Sequence, residues 1–168
     1  MSSTNRGAER RPHDMYATPA PAIDTLLNVL HYSPLRRFHE PCRGDGAIYD
    51  RIQCLRSHCE ITEGIDYLTH SPTLHYDLII TNPPFSLALE FLQKSLSEAD
   101  TVIYLLRLNF LGSQKRRAFW QANRPSHVLV LSKRPSFTDD GSTDSIEYAW
   151  FCWDRGGFVT LAPGVHVL

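Results

Sequence analysis

Apolar runs and amphipathic segments alternate through most of the chain, which predicts an α/β protein built on a mainly parallel sheet. The runs at 76–80, 101–106 and 127–131 are nearly continuous, as in strands covered on both faces. A short strand at 35–39 also leads into Gly44-Asp45-Gly46. Strand, glycine loop, helix is the arrangement with which open α/β sheets approach a ligand. The stretches 148–153 and 158–162 lack a helix between them, which predicts an antiparallel edge near the C-terminus.

With 168 residues and 19.2 kDa, the chain is expected to form one domain over 13–168. A polar arm over 1–12, carrying Arg6, Arg10 and Arg11, precedes it. Hydrophobic content of 42% and charged content of 21% are ordinary for a globular protein. The net charge of −1 gives no overall basic signature, so nucleic-acid contact must come from a local patch. Cys42, Cys54, Cys59 and Cys152 lack CxxC spacing and the eight histidines lack ligand spacing. They are read as reduced thiols and ordinary histidines of a cytoplasmic protein with no metal site. No apolar stretch approaches the ~20 residues a membrane span needs.

Along the chain, Thr18 suits an N-cap and Pro19 a first helical position. Ile23, Leu26, Leu27 and Leu30 follow at helical spacing, predicting a helix over 20–30. After the glycine loop, Ile48, Ile52 and Leu55 predict a helix from 47 to about 57. Glu40 and Asp45 flank that loop, where carboxylates repel a pyrophosphate and suit a cationic or hydroxylated ligand. A second strand is expected at 58–61, placing Glu60 where it could accept from ribose hydroxyls. Asp66 lies in the next tight segment. Later elements are a helix from Ser86 to about 97, a helix over 112–123 carrying Lys115, Arg116 and Arg117, and a polar loop over 138–145.

The strand 76–81 ends in Asn82-Pro83-Pro84-Phe85. Two prolines in succession make a stiff turn. It can hold the Asn82 side-chain oxygen, the Pro83 carbonyl and the Phe85 ring in fixed relation at the carboxyl end of a strand. Two acceptors and an aromatic face suit a planar ring bearing an exocyclic NH2 group.

The order Tyr16-x-Thr18-Pro19, Glu40-Pro41-x-x-Gly44-Asp45-Gly46-Ala47, Asp66-Tyr67-Leu68, Asn82-Pro83-Pro84-Phe85 resembles S-adenosylmethionine-dependent DNA adenine-N6 methyltransferases. More narrowly it is similar to the short phage and prophage type, through 105–112, Lys133-Arg134-Pro135-Ser136-Phe137 and 147–151. The resemblance spans roughly residues 14–154. It implies a Rossmann-like class I methyltransferase fold, a mainly parallel seven-stranded sheet with one antiparallel strand near the C-terminus.

The resemblance also implies S-adenosylmethionine as cofactor. Tyr16, Thr18 and Pro19 would close over its methionine portion. Glu40, Cys42, Gly44 and Gly46 would line its amino-acid end, with Glu40 facing the ammonium. Glu60 would bind the ribose, and Asp66 would accept from the adenine amine, with Tyr67 or Leu68 beside that ring. Asn82, Pro83, Pro84 and Phe85 would be the catalytic set, Asn82 also bordering the cofactor.

An adenine in a duplex must be flipped out to reach such a pocket. Phe85 would stack on one face and Phe137 on the other. Lys115, Arg116, Arg117, Lys133 and Arg134 are the candidate DNA phosphate contacts. There is no spare ~80–100 residues for a target-recognition domain, which predicts short or relaxed sequence recognition. The expected partner is double- or single-stranded DNA, with no membrane partner and a monomer or homodimer as the working form. The resemblance places it in a bacterial or phage-infected cell, with protection from host restriction as a role. The rival readings are adenine methylation in RNA, methylation of a glutamine side-chain amide, and a catalytically silent cofactor-binding protein.

Overall fold

The computed structural model describes residues 16–31, 33, 35–137 and 145–168. The arm expected over 1–12 and nearly all of the loop expected over 138–145 lie outside the described residues.

Seven strands form one sheet: β1 (Arg37–Glu40), β2 (Leu55–His58), β3 (Tyr76–Thr81), β4 (Ala99–Arg107), β5 (His127–Val130), β6 (Tyr148–Asp154) and β7 (Gly164–Val167). Their order across the sheet is β2-β1-β3-β4-β6-β5-β7. Only β6 runs antiparallel to its neighbours, β4 and β5. The other adjacent pairs are parallel. The sheet is thus seven-stranded with one antiparallel strand, as expected. That strand is interior, however, and the edge strand β7 runs parallel to β5, so the expected antiparallel edge is corrected. The chain order reverses between β1 and β3, and a crevice opens at the carboxyl ends of strands at such a switch point.

Alternate strand residues fill two cores, as the two-residue period of a strand requires. On one face Leu78, Ile80, Ile103 and Leu105 pack with Ala22, Ile23 and Leu26 of α1 (Ala20–Leu27). The buried Trp150 indole donates to the Ala22 carbonyl at 3.0 Å and pins α1 to the sheet. On the other face Ile79, Val102, Tyr104 and Leu106 pack with Phe91 and Leu92 of α2 (Ala88–Glu98). The Tyr67 hydroxyl donates to Glu98 Oε2 at 2.8 Å and shares a 2.8 Å bond with the Ser95 hydroxyl. Lys94 neutralises Glu98 at 2.5 Å. This buried network fastens the segment that carries Asp66 to α2.

Several expected elements take other forms. Thr18 does not cap α1; it is buried just before the N-cap, which is Pro19. The helix expected over 47–57 is a single 3-10 turn, Tyr49–Arg51, followed by β2. The Arg56 guanidinium closes that turn by donating to the Tyr49 and Ile52 carbonyls at 2.8 and 3.4 Å. Leu55, counted on the helix's apolar stripe, is 70% exposed on the edge strand. The second strand is therefore Leu55–His58, not 58–61. Between β3 and α2 lies a 3-10 turn, Phe85–Leu87. The helix expected over 112–123 is a 3-10 turn, Gln114–Arg116, joined to a six-residue α3 (Arg117–Ala122). The strand expected at 158–162 is absent, because the Asp154 carboxylate captures the Phe158 and Val159 N–H groups, each at 2.8 Å. Val159 makes one isolated bridge to Leu30.

Candidate active site

The carboxyl ends of the strands border a cavity of about 790 Å3. Tyr16, Thr18, Glu40, Cys42, Gly44, Glu60, Asp66, Tyr67 and Asn82 all line it. Pro19 and Gly46, expected at the same ligand, are not in its wall. Gly46 instead shapes the loop: its φ is +89° and a Cβ there would meet Asp50 Oδ2 at 2.9 Å. Gly44, at φ +56°, turns its N–H to Glu60 Oε2 at 2.7 Å.

Glu40, at the end of β1, and Glu60, just beyond the neighbouring β2, are in opposite states. Glu40 ends β1, is 2% exposed, and its Oε2 has no hydrogen-bond partner. Burial, reinforced by Asp45 and Glu60, raises its pKa well above the ordinary carboxylate value despite the Tyr49 backbone and Arg43. Glu60 accepts from Gly44 N at 2.7 Å, Thr62 N at 3.1 Å and Thr62 Oγ1 at 2.8 Å. Burial alone would raise its pKa, but these donors and Arg43 together hold it below the ordinary value. A buried carboxylate without a partner is costly, so the Glu40 end of the cavity is built for a cation or a hydrogen-bond donor.

The other end of the cavity is apolar. Ile61, Ile65, Leu68 and Phe91 border it, with Ile61 48% and Ile65 38% exposed. Asp66 Oδ1 accepts the Leu68 N–H at 2.9 Å, and its second oxygen has no hydrogen-bond partner among the described residues. A carboxylate beside an apolar slot fits a flat ring bearing an amine. The Tyr67 ring belongs to the core and its hydroxyl is held by Ser95 and Glu98, so its own polar group is committed to the fold.

Asn82 follows β3 and is held on several sides. Its Nδ2 donates to the Tyr16 carbonyl at 3.1 Å. Its main-chain carbonyl accepts from the Cys42 thiol at 3.3 Å, and that thiol also bonds Thr81 Oγ1 at 2.9 Å. Asn82 Oδ1 is buried and has no partner. Burial pushes the Cys42 thiol far up, so it is a donor rather than a nucleophile at neutral pH.

Beside Asn82, four aromatic rings and an arginine gather. Phe85 lies 5.9 Å from Tyr148, Phe137 5.1 Å from Tyr148 and 6.1 Å from Tyr16, between ring centroids. The Arg107 guanidinium sits 4.7 Å from the Phe85 centroid, and its Nε donates to the Tyr148 hydroxyl at 2.9 Å. Phe85 and Phe137 were legible in the sequence. Tyr148 and Arg107 were not, because only the β4–β6 register sets Arg107 opposite Tyr148. Ile61 and Ile65 carried one signal, as large apolar residues in an otherwise polar segment.

The basic residues do not form one group. Arg116 Nε donates to the Phe110 carbonyl at 2.7 Å and the guanidinium covers the Phe110 ring, so it holds the loop. Arg134 pairs with Glu147 at 2.7 Å. Lys115, Arg117 and Lys133 are exposed.

No protein-family model matches the chain, and no curated protein matches it. Solved structures do. A candidate RNA methyltransferase from Pyrococcus horikoshii aligns over 87% of this chain and 90% of its own, with TM-score 0.65 and 15% identity. A candidate class I S-adenosylmethionine-dependent methyltransferase from Listeria monocytogenes aligns over 96% of this chain and 67% of its own, with TM-score 0.65 and 12% identity. The methyltransferase subunit of a type I restriction-modification system from Streptococcus thermophilus aligns over 83% of this chain, TM-score 0.61 and 14% identity. This chain covers 45% of that subunit. The fold is that of the Rossmann-like class I methyltransferases.

Proposed function

We propose that the protein transfers a methyl group from S-adenosylmethionine to the exocyclic N6 amine of adenine in DNA, with the base flipped out and short or relaxed sequence recognition. The observation that carries this reading is Asn82 Oδ1: a buried acceptor without a partner, on a side chain whose Nδ2 is bonded to the Tyr16 carbonyl, beside an aromatic cluster. A buried acceptor left empty costs free energy unless a ligand donor fills it.

The cavity fits the cofactor. Glu40 would take its ammonium, Glu60 the ribose hydroxyls through its remaining lone pairs, and Asp66 the adenine amine beside Leu68. Tyr16 and Thr18 would cover the methionine portion. When bound, S-adenosylmethionine supplies a methyl group activated on a sulfonium. The protein's own residues do the rest by positioning. The amine of adenine is a poor nucleophile because its lone pair is delocalised into the ring. Asn82 Oδ1 and the Pro83 carbonyl would accept its two hydrogens and favour a pyramidal nitrogen with its lone pair directed at the methyl. Phe85 and Phe137 would stack the base, with Tyr148 and Arg107 fixing Phe85 from behind. No covalent nucleophile is needed, in keeping with the raised pKa of Cys42.

The test is transfer of a tritiated methyl group from S-adenosylmethionine to DNA, RNA and protein, with DNA offered single- and double-stranded. The expected product is N6-methyladenine in DNA. Exclusive labelling of RNA would move the same chemistry to an RNA acceptor, the substrate class of the candidate RNA methyltransferase from Pyrococcus. A long, strict site in a methylation map would contradict the relaxed recognition.

A further inference from the structure

The chain has no net basic character, yet its charges are unevenly placed. Residues 101–138 hold seven Lys and Arg (Arg107, Lys115, Arg116, Arg117, Arg124, Lys133, Arg134) and no Asp or Glu. On this acid-free segment a second groove lies between the loop after β4 and α3. Ser113, Gln114, Arg117, Trp120, Gln121 and Arg124 line it.

The groove brings together polar groups that have no partner. Four arginines outside it are paired with acids: Arg43 with Glu63, Arg51 with Asp24, Arg56 with Asp50 and Arg134 with Glu147. Arg117 and Arg124 make no hydrogen bond or ion pair among the described residues. Between them Trp120 is held rigid, stacked on Trp153 at 6.0 Å and 12° and edge-on to Phe110 at 5.8 Å. Its indole N–H is buried without an acceptor. Trp150 and Trp153 are buried, so Trp120 is the indole that reaches a surface. Two unpaired guanidinium groups flanking a fixed aromatic ring match a phosphate and a base on one strand, since stacking is indifferent to base identity and the charge follows the backbone.

The rim of the groove is also near the acceptor pocket. Leu111, at its rim, lies four residues beyond Arg107, which packs on Phe85. Four residues span at most ~14 Å, which at 3.4 Å per nucleotide is about four steps along a strand.

We propose that this groove binds a nucleotide of the DNA substrate flanking the target base, its phosphate between Arg117 and Arg124 and its base against Trp120. The assignment rests on the DNA reading above. It would give this small chain a hold on the strand without a separate recognition domain.

The experiment measures binding of fluorescein-labelled DNA oligonucleotides by anisotropy across a salt series, for the wild type, Arg124→Ala, Trp120→Phe and the exposed Arg36→Ala. Arg124→Ala is expected to weaken binding by roughly five- to tenfold and to lower the salt slope by about 0.7–0.9, the share of one phosphate. Trp120→Phe is expected to weaken binding about threefold and to abolish the quenching of indole fluorescence by DNA. Arg36→Ala should leave affinity within about twofold and the slope unchanged. Affinity for S-adenosylmethionine and the melting temperature serve as folding controls. If the wild type binds DNA and Arg124→Ala keeps both affinity and slope, the groove assignment fails alone. An equal loss in Arg36→Ala overturns it too, as diffuse charge. If the wild type binds no DNA yet methylates another acceptor, the substrate reading fails and takes the groove with it.

Discussion

Glu40 ends β1 and Glu60 lies two residues beyond the neighbouring β2; both are buried, and the fold treats them oppositely. Glu60 is held from within: Gly44 and Thr62 supply three donors, and the acid shapes the glycine loop. Glu40 has an oxygen with no donor at all, and Asn82 at the end of β3 repeats the pattern with its Oδ1. A fold selected only for stability would fill or remove such acceptors, since each empty one costs on the order of 1–3 kcal/mol. The contrast separates an acid whose place is fixed before any ligand arrives from acceptors left entirely to a ligand.

The largest way to break this contrast is Asn82→Ala. It removes the acceptor for the target amine, and turnover should fall about 100-fold or more, the size of a modest misplacement at a reacting centre. Glu40→Gln comes next. Loss of a charge-assisted contact of about 1.5–3 kcal/mol should weaken S-adenosylmethionine binding by roughly 10- to 100-fold, read by calorimetry. The same change should raise the melting temperature of the free protein by a few degrees, because it removes a buried carboxylate without a full set of partners.

The pH dependence of the two acids has opposite sign. Glu40 has a raised pKa, so the native state holds its proton longer than the unfolded state. Stability therefore falls as pH rises from the ordinary value of 4.5 towards the raised one. Cofactor binding in that window should release a proton, visible as a dependence of the calorimetric heat on the buffer. Glu60 has a lowered pKa, so its contribution is present above 4.5 and is lost as pH falls through the lowered value. Glu60→Gln should accordingly lower the melting temperature, by about 2–4 °C per kcal/mol lost, at neutral pH. The smallest effect is expected from Tyr148→Phe. It removes the hydroxyl that accepts from Arg107 Nε without opening a cavity, and should raise KM for DNA about two- to fivefold with little change in kcat, a hydrogen bond's net worth of about 0.5–1.5 kcal/mol.

How far the sequence reached follows the same physics. The long buried strands β3, β4 and β6 were legible because continuous apolar runs leave little choice. Glu40 at the end of β1, and Asn82 and Phe85 in the turn after β3, were legible because the glycine loop and the double proline fix where the strands stop. The stretch after Gly46 was misread, because Ile48, Ile52 and Leu55 share helical spacing while the actual turn depends on Arg56 reaching back to two carbonyls. The Asp154 carboxylate that ends pairing at Phe158 and Val159 is likewise a tertiary device with no local periodicity. Arg107 and Tyr148 meet only across paired strands far apart in sequence. Which acid is satisfied and which is not depends on three-dimensional donors, and no pattern of residue types carries that.

The most direct measurement of the central claim is one titration set on Asn82→Ala and Glu40→Gln, reading S-adenosylmethionine affinity and single-turnover methyl transfer to DNA at saturating cofactor. The account predicts a crossed result: Asn82→Ala keeps cofactor affinity within about twofold and loses transfer by the ~100-fold expected of a displaced acceptor, while Glu40→Gln loses affinity and keeps transfer once saturated. Unchanged transfer in Asn82→Ala, or unchanged affinity in Glu40→Gln, would contradict it.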